Sequence, residues 1–394
     1  MKYLLRLPST YLSLPILLTC GLTLLTYDLP AGYLEGMFLL VITALIIVLI
    51  DVLAGSRLPT LAQFRMRSYV GTREAFVALL FAGMVIFFCL LDVTLFPIAL
   101  ISNPASYATM EGGHEHIRHI SDMCWTLPPI GLLCARSKWL RNLLIVAGLA
   151  FPVLVIDRNR IFASLFALGL VIVFRRDEAK PLPWKTIGFL TLVGGSAFSI
   201  LGILRSGSLD SVTLPFSAMY RASPQGIKWL LLYISAGPYN FGAMVAKHYV
   251  NASFLVSQLL PMSGAVATAT TDIPLDASNI NVGTEFLPFL LALGPAGALG
   301  AVFALYALLL WSVRRLRPSV SLFALLIFLR MAYVCVMAPF APQAFTWTNA
   351  GFIVVCLVMQ VFAALLPNRN AAPAPLAGPA TSSPSSPCPI FNEP

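Results

Sequence analysis

The chain has 394 residues, of which 58% are hydrophobic and only 10% are charged, and its formal net charge is +9. Soluble globular domains carry about a quarter charged residues, so this composition excludes a soluble protein and indicates a polytopic membrane protein. The seven cysteines are scattered and form no CxxC pair. Neither a disulfide framework nor a zinc ribbon is therefore predicted.

Ten hydrophobic segments are long enough to cross, or nearly cross, a bilayer core of about 30 Å. They lie near residues 9–27, 34–54, 75–101, 123–136, 143–156, 161–174, 186–204, 286–312, 319–339 and 346–366. We therefore predict an all-α, polytopic integral membrane protein with about ten transmembrane helices. No A-x-A-like cleavage site follows the first segment, so we interpret it as a retained helix rather than a signal peptide.

The Lys and Arg residues predict the orientation. With the N-terminus inside, seventeen of the twenty-five lie in inner segments and Arg330 lies within the ninth helix. The other seven lie in outer segments: Arg118, Arg158, Arg160, Arg205, Arg221, Lys228 and Lys247. Because basic residues favour the cytoplasmic side, both termini are predicted to be cytoplasmic. The seven basic residues on the disfavoured side are the best indication of function.

The chain is predicted to form one helical domain over residues 1–366, followed by a Pro-, Ala- and Ser-rich tail at 367–394 that reads as a disordered cytoplasmic extension. Two outer loops are expected, a short one near 102–122 and a large periplasmic one at about 205–283. Within the large loop, Gly237-Pro238 interrupts the apolar stretch 229–246 and should break a straight helix. A full span there would place the basic segments that follow on the outer side of the membrane. We therefore predict a re-entrant or interfacial segment, with a true span as the alternative.

Two arginines stand at the junction of the fifth and sixth hydrophobic segments. Each segment holds 14 residues on this division, which span roughly 21 Å and fall short of the hydrocarbon core. Asp157, Arg158, Asn159 and Arg160 are therefore expected at or slightly below the outer headgroup level. Asp157 can neutralise one guanidinium, and the fork of the other suits a phosphate. The alternative is that both arginines only anchor the hairpin at the interface.

Further cations and aromatic residues extend this outer face. Arg205 follows the seventh helix on the same side. In the large loop, cationic side chains alternate with aromatic ones: Arg221, Lys228, Lys247 and His248 with Tyr220, Trp229, Tyr233, Tyr239 and Tyr249. This mixture suits sugar rings and phosphates, but it also suits a helix that lies in the headgroup layer.

Four short segments carry a resemblance to a known family: YISAGPYNF at 233–241, NVGT at 281–284, FLPF at 286–289 and LGPAG at 293–297. They resemble the outer-loop and following-helix signatures of the Wzy-type oligosaccharide repeat unit polymerases, relatives of O-antigen polymerase. Arg158, Arg160 and Arg205 fall where that family often carries arginines. The resemblance covers roughly residues 150–310. Ala292-Leu293-Gly294 lacks an acidic residue that many relatives have, and Glu285 is not typical of them.

The resemblance implies a multi-pass enzyme of the bacterial inner membrane, a glycosyltransferase for surface polysaccharide biosynthesis. Its substrate would be an undecaprenyl-diphosphate-linked oligosaccharide at the periplasmic face. The growing chain would be transferred from one carrier lipid to a sugar hydroxyl on another. Membrane lipid, a chain-length regulator and a flippase are the further partners expected. Neither a cofactor nor a nucleic-acid partner is expected.

The chemistry suits the residues. Displacing a lipid diphosphate from an anomeric carbon develops negative charge on the leaving group and positive character at the sugar. Fixed guanidinium groups can stabilise that leaving group without a metal. The candidate substrate-binding residues are Arg158, Arg160, Arg205, Arg221, Tyr233 and Lys247.

The attacking hydroxyl also needs a proton acceptor. The titratable groups of the large loop and its exit are His248, Glu285, Asp272, Asp276 and Asp210. We favour His248 and Glu285 as the catalytic residues, with a plain solvated-loop role as the alternative for each.

Two other features invite interpretation. His114, Glu115, His116 and His119 form an HEHxxH string that could bind a divalent metal. A short polar loop beside Gly112-Gly113 is the commoner explanation, and no metal site is predicted.

Arg330, in the middle of a hydrophobic segment, should face the bundle interior. Its partner is expected to be Asp92, a backbone carbonyl or the carrier lipid.

Three rival functions stay open. A flippase or other transporter of lipid-linked glycans should line a path with charge, yet only Arg330 and Asp92 lie well inside the hydrophobic segments. An O-antigen ligase would use similar outer arginines. A non-catalytic scaffold would use the basic face only to hold anionic lipid.

Overall fold

The architecture comes from a computed structural model, which describes residues 7–54, 68–102, 115–175, 183–206, 213–260, 273–277, 280, 282–316 and 320–367. Over these residues the chain is helical, and the only β-type pairing among them is one isolated bridge between Tyr27 and Phe216. The predicted all-α class is confirmed. The predicted tail lies outside the described residues from 368 onward, as do Asp210, Asp272 and His114.

The first half of the chain supplies nine helices among the described residues. In chain order they are α1 (Pro8–Thr26), α2 (Tyr33–Ala54), α3 (Arg73–Leu95), α4 (Ala99–Ser102), α5 (Glu115–Ser121), α6 (Leu127–Cys134), α7 (Lys138–Leu154), α8 (Arg158–Arg175) and α9 (Trp184–Ser206). A 3₁₀ turn over Asp122–Thr126 joins α5 to α6.

The second half begins with three helices that follow one another near one end of the bundle, and it closes with three apolar helices. They are α10 (Ala218–Ala222), α11 (Gln225–Lys247), α12 (Ser253–Leu259), α13 (Leu287–Arg314), α14 (Leu322–Met337) and α15 (Trp347–Leu365).

Five of the described helices are long and apolar enough to cross a membrane, namely α1, α2, α3, α13 and α15. Helix α14 is apolar but shorter, with 16 residues. Large apolar side chains cover the exposed faces of these helices, as at Leu49 of α2, Leu80 of α3 and Val358 of α15. The architecture is that of a helical membrane protein, and the number of ten spans stays a prediction.

Helix α13 is kinked rather than straight. Gly294 adopts φ +71° within it, a conformation that glycine reaches without steric cost. Pro295 follows and lacks the N–H of a regular helical turn. The single helix predicted over 286–312 is therefore two helical segments that meet at Gly294. Its 28 residues would span about 42 Å if straight, more than a hydrocarbon core needs.

The bundle has two ends that matter for function. Helix α7 runs from Lys138 to Leu154, a length of about 25 Å along its axis. Asp157 follows three residues after its last residue. Helix α15 runs the opposite way and ends at Leu365, where Arg73 donates to the Leu366 carbonyl oxygen at 2.5 Å. We refer to these as the Asp157 end and the Arg73 end.

Helix α11 contacts several elements at the Asp157 end. Its Ser235 carbonyl accepts a hydrogen bond from Thr23 Oγ1, near the end of α1, at 3.1 Å, and its Gly242 packs on the Tyr33 backbone at the start of α2. A Cβ at Gly237 would collide with the Pro339 carbonyl oxygen. These contacts join α11 to the end of α1, the start of α2 and the loop after α14, and Ser199 of α9 also donates to the Gly226 carbonyl oxygen at 3.1 Å.

The predicted break at Gly237-Pro238 is wrong, because α11 continues through Pro238 to Lys247. Gly237 and Gly242 instead let backbone from other elements approach closely. The interfacial or re-entrant placement of 229–246 stays a prediction.

Candidate functional site

Arg160 is the centre of a buried polar network in the first turn of α8. Its Nε lies 2.9 Å from Asp157 Oδ2, and its Nη2 pairs with Asp122. Its Nη1 lies 3.5 Å from Ser121 Oγ, which in turn donates to Asp92 Oδ2 at 2.9 Å. We call Asp92, Ser121, Asp122, Asp157 and Arg160 the Arg160 network.

This network neutralises the Arg160 charge within the protein. The residue is only 6% exposed, and a buried guanidinium is tolerated when carboxylates pair with it at good geometry. Of the two neighbouring arginines, Arg160 is thus the one that pairs with Asp157. Asp122 is a second carboxylate partner of Arg160, which the sequence analysis did not predict. Binding of substrate by Arg160 stays a prediction.

Arg158 lies among aromatic rings. Its Cζ is 4.7 Å from the centroid of the Phe198 ring and 5.4 Å from that of Tyr233. The ring centroids of Tyr233 and Phe198 are 4.7 Å apart. Tyr233 also stacks on Phe340, with ring centroids 6.3 Å apart and ring planes inclined by 11°. We call Arg158, Phe198, Tyr233 and Phe340 the Arg158 cluster. It joins α8, α9, α11 and the α14–α15 loop, and it brings together two of the predicted substrate-binding residues.

The Arg158 cluster suits an anionic group. Aromatic faces attract a guanidinium and hold it flat. The in-plane N–H groups of a guanidinium match the oxygens of a phosphate in pairs. A rigid arginine on a ring platform can therefore align with a phosphate at little cost in side-chain entropy.

Asn159, between the two arginines, ties α8 to α14 and to the α14–α15 loop. Tyr333 Oη donates to Asn159, with its side-chain oxygen at 2.5 Å and its carbonyl oxygen at 2.8 Å. Gln343 Nε2 donates to Asn159 Oδ1 at 2.9 Å. Asn159 could have been noticed in the sequence because it lies between two arginines at a helix junction. Its partners Tyr333 and Gln343 belong to no recognisable motif.

Glu285 is fully buried and holds the α14–α15 loop. Its carboxylate accepts hydrogen bonds from the backbone N–H groups of Gln343 at 2.5 Å, Ala344 at 2.8 Å and Phe345 at 3.0 Å. Burial raises the pKa of Glu285 to about 7, although the three amide donors favour its charged form. The geometry gives Glu285 a positioning role, and its assignment as proton acceptor stays a prediction.

Glu285→Gln is expected to lower the free energy of unfolding by about 2 kcal/mol, because the amide nitrogen of Gln cannot accept from a backbone N–H, whereas both oxygens of a carboxyl group can accept in either protonation state. The loss should depend on pH. Since the folded pKa lies above the ordinary value, the folded state keeps a proton that the unfolded state releases, and wild-type stability falls as pH rises from about 4.5 to 7. The difference between wild type and variant should therefore be larger at pH 5 than at pH 8.

Thermal unfolding in detergent at both pH values measures this effect. Glu35→Gln is the control, since Glu35 is an exposed glutamate in the first turn of α2. Equal stability of the two variants at both pH values would contradict the positioning role of Glu285.

Lys247 holds the segment 273–277 through Asp276. Lys247 Nζ donates to Asp276 Oδ1 at 2.6 Å, while Tyr33 and Tyr239 donate to Oδ2 at 2.8 and 2.7 Å. Partial burial pushes the pKa of Asp276 upward, but these donors outweigh it and the pKa lies below its ordinary value. The charge of Lys247 is thus paired within the protein.

His248, one of the two predicted catalytic residues, lies apart from the Arg158 cluster. His248 ends α11 in the left-handed conformation, with φ +48°, and is exposed. Since Tyr233 and Lys247 are on the same helix, His248 lies about 21 Å or more from Tyr233 along its axis. Arg221 is exposed in α10. Arg205 lies in the last turn of α9, and its side chain is outside what the structure describes.

Arg330 has a different partner from those predicted. Its Nε donates to Asn349 Oδ1 on α15 at 3.1 Å, and its Cζ lies 6.0 Å from the Tyr333 ring centroid. Asp122 and Glu285 also interact with it electrostatically. Asp92 instead accepts from Ser121. The predicted interior position of Arg330 is confirmed, and it lies next to the Asn159 contacts.

The HEHxxH string is described only in part. The His119 ring packs edge-on against Trp347, with centroids 4.5 Å apart. His114 and the side chains of Glu115 and His116 lie outside the description. Among the residues that the structure does describe, no group of three or more His, Cys, Asp or Glu side chains is arranged to hold a metal ion.

Comparisons with known proteins identify no relative. No family model, no curated protein and no solved structure matches the chain. The geometry of the Asp157 end and the sequence resemblance are therefore what a functional proposal rests on.

Proposed function

We propose that the chain is a membrane glycosyltransferase that joins undecaprenyl-diphosphate-linked oligosaccharide repeat units into a surface polysaccharide. The reaction would take place at the Asp157 end, which we take to face the periplasm of a bacterial inner membrane. The observation that carries the proposal is the Arg158 cluster. Four separate elements bring one arginine and three aromatic rings together at that end.

In the proposed reaction, the hydroxyl oxygen of one repeat unit attacks the anomeric carbon of the growing chain. The bond from that carbon to the diphosphate oxygen breaks, and the diphosphate leaves with the electron pair. Arg158 stabilises the negative charge that develops on this leaving group, as preorganised charge does in a partly dry site. The aromatic platform keeps its guanidinium in place before the reaction begins.

The proton of the attacking hydroxyl needs an acceptor near the leaving group. Glu285 is held by three amides, and His248 lies about 21 Å or more along α11 from Tyr233. We therefore add Asp122 to the candidates, since its carboxylate pairs with Arg160, two residues along α8 from Arg158. Asp122→Asn is expected to slow chain growth while binding of undecaprenyl diphosphate is kept.

The charged residues inside the bundle favour an enzyme over a transporter. Asp51 accepts from Ser9 N at 2.6 Å and from Tyr306 Oη, so it is committed to structure at the start of α1. Asp92 and Arg330 likewise have protein partners. Ionisable groups that line a transport path would need to contact water or cargo instead.

Reconstitution of the purified protein in vesicles with a synthetic undecaprenyl-diphosphate-linked repeat unit tests the proposal. A ladder of products, with one undecaprenyl diphosphate released for each new bond, is expected. Transfer only to an added lipid A core would mean an O-antigen ligase. Movement of intact lipid-linked units across the bilayer, with no new bond, would mean a flippase or another transporter.

A further inference from the structure

A cleft of about 1080 Å³ opens at the Arg73 end, opposite the proposed reaction site. Its walls come from the first turns of α3, the start of α7 and the last turns of α15. Arg73, Arg136 and Ser137 contribute polar groups, and Phe76, Leu140 and Leu366 contribute apolar ones. Its size matches the upper range of small-ligand sites, which is on the order of 300–1,000 Å³.

The polar side of the cleft is positively charged. Arg136 is exposed there, and Arg73 is fixed by hydrogen bonds from its Nη1 to the carbonyl oxygens of Ala364 and Leu366, at 3.2 and 2.5 Å. Glu74 also lines the cleft, but its Oε2 accepts from Leu322 N at 2.9 Å. That carboxylate is therefore engaged by the start of α14.

Two helix N-termini add to this positive potential. Thr72 caps α3 by accepting from Ala75 N at 3.2 Å, and Ser137 caps α7 by accepting from Leu140 N at 3.1 Å. Both caps line the cleft. The N-terminal end of a helix carries partial positive charge, which favours a nearby anion.

The apolar side of the cleft continues along the bundle. Phe76 and Leu80 of α3 are 50% and 57% exposed, and Leu143 and Val146 of α7 are 40% and 61% exposed. These side chains lead away from the cationic rim toward the Asp157 end. A ligand with a charged head and long apolar chains would match both parts at once.

We propose that this cleft binds an anionic glycerophospholipid. Its phosphodiester lies between Arg73 and Arg136, and its acyl chains follow the exposed apolar faces of α3 and α7. The site joins three helices that are distant in sequence, so the bound lipid stabilises their packing. This inference does not depend on the proposed glycosyltransferase activity.

Native mass spectrometry of the full-length protein, delipidated in detergent, tests the site. Phosphatidylglycerol and phosphatidylcholine with the same acyl chains are added separately. We expect preferential retention of phosphatidylglycerol and a rise in unfolding temperature with that lipid alone. Arg136→Gln should weaken its retention about fivefold, since one basic residue near a membrane surface contributes about that factor.

Two further variants separate the site from general charge attraction. Lys138→Gln removes an exposed cation from the same helix end that does not line the cleft, and it should leave retention unchanged. Ala364→Trp places a large ring at an exposed position of the cleft wall and should displace the lipid.

Three results would overturn the proposal. They are equal retention of the two lipids, equal effects of Arg136→Gln and Lys138→Gln, and unchanged retention in Ala364→Trp. Inorganic phosphate and glycerophosphoglycerol distinguish the source of the anion. Binding of either at micromolar concentration without any retained phospholipid would make this a site for a soluble phosphate and would contradict the lipid assignment.

Discussion

Arg158→Ala is expected to reduce chain growth by about 100-fold or more while the protein folds normally. The substitution removes the guanidinium that would stabilise the leaving diphosphate, and loss of one preorganised donor of this kind costs roughly 3 kcal/mol in the transition state. The folded state loses the cation–π contacts of the guanidinium with the Phe198 and Tyr233 rings, which typically contribute about 0.5–2 kcal/mol each. The measurement is the rate of ladder formation by purified protein, with unfolding temperature measured in parallel.

Two comparisons sharpen this result. Arg158→Lys keeps the charge but loses the planar fork and the stacking, so its rate should fall between those of wild type and Arg158→Ala. Lys228→Ala removes a cation from the first turns of α11, outside the Arg158 cluster, and should leave the rate close to that of wild type. A wild-type ladder from Arg158→Ala would rule out the proposed role.

Arg160→Ala is expected to lower the stability of the protein strongly, whereas Arg158→Ala lowers its activity. Removal of one partner from a buried ion pair typically costs about 3–5 kcal/mol, because the remaining charge is left uncompensated. Here Asp157 and Asp122 would both lose their cation. Folded yield and unfolding temperature in detergent should fall sharply relative to Arg158→Ala.

A second substitution tests the cause of that loss. Arg160→Ala combined with Asp157→Asn removes one uncompensated carboxylate, so part of the lost stability should return. Asp157→Asn alone should be destabilising. Stability of Arg160→Ala equal to that of wild type would contradict a structural role for the Arg160 network and would return Arg160 to the list of residues available to substrate.

The sequence predicted the helices well where hydrophobic segments end in charged residues. Helices α1 and α2 begin and end within one residue of the expected bounds, because long apolar runs have few alternatives in a membrane. Helix α3 ends at Leu95, six residues before its expected end at 101. The junction at Asp157 was also located correctly, although α7 and α8 have 17 and 18 residues rather than the 14 expected for each segment. These predictions depend only on local composition.

Two Gly-Pro pairs show where local composition was insufficient. Gly237-Pro238 was expected to break a helix, yet α11 passes through it. Gly294-Pro295 was placed inside a continuous helix, yet it forms the kink of α13, with Gly294 at φ +71°. The same dipeptide permits either result. Backbone packing against Pro339 and Tyr33 accompanies the continuous helix in α11, and a sequence does not reveal those neighbours.

The candidate site was predictable only in part for the same reason. Arg158 and Tyr233, both predicted as substrate-binding residues, meet in the Arg158 cluster, and their binding of substrate stays a prediction. Phe198 and Phe340 pack around these two residues, and Gln343 lies near them. No sequence motif contains these three neighbours. His248 was grouped with them because loop residues were assumed to converge. A continuous α11 instead holds His248 about 21 Å or more from Tyr233.

Photo-crosslinking with undecaprenyl diphosphate that carries a reactive group beside the diphosphate tests the central claim most directly. After irradiation of the reconstituted protein, peptide mapping locates the modified residues. The account predicts labels at the Arg158 cluster, on the peptides that contain Phe198 and Tyr233, and loss of those labels in Arg158→Ala. Labels confined to other parts of the protein, or unchanged in Arg158→Ala, would contradict it.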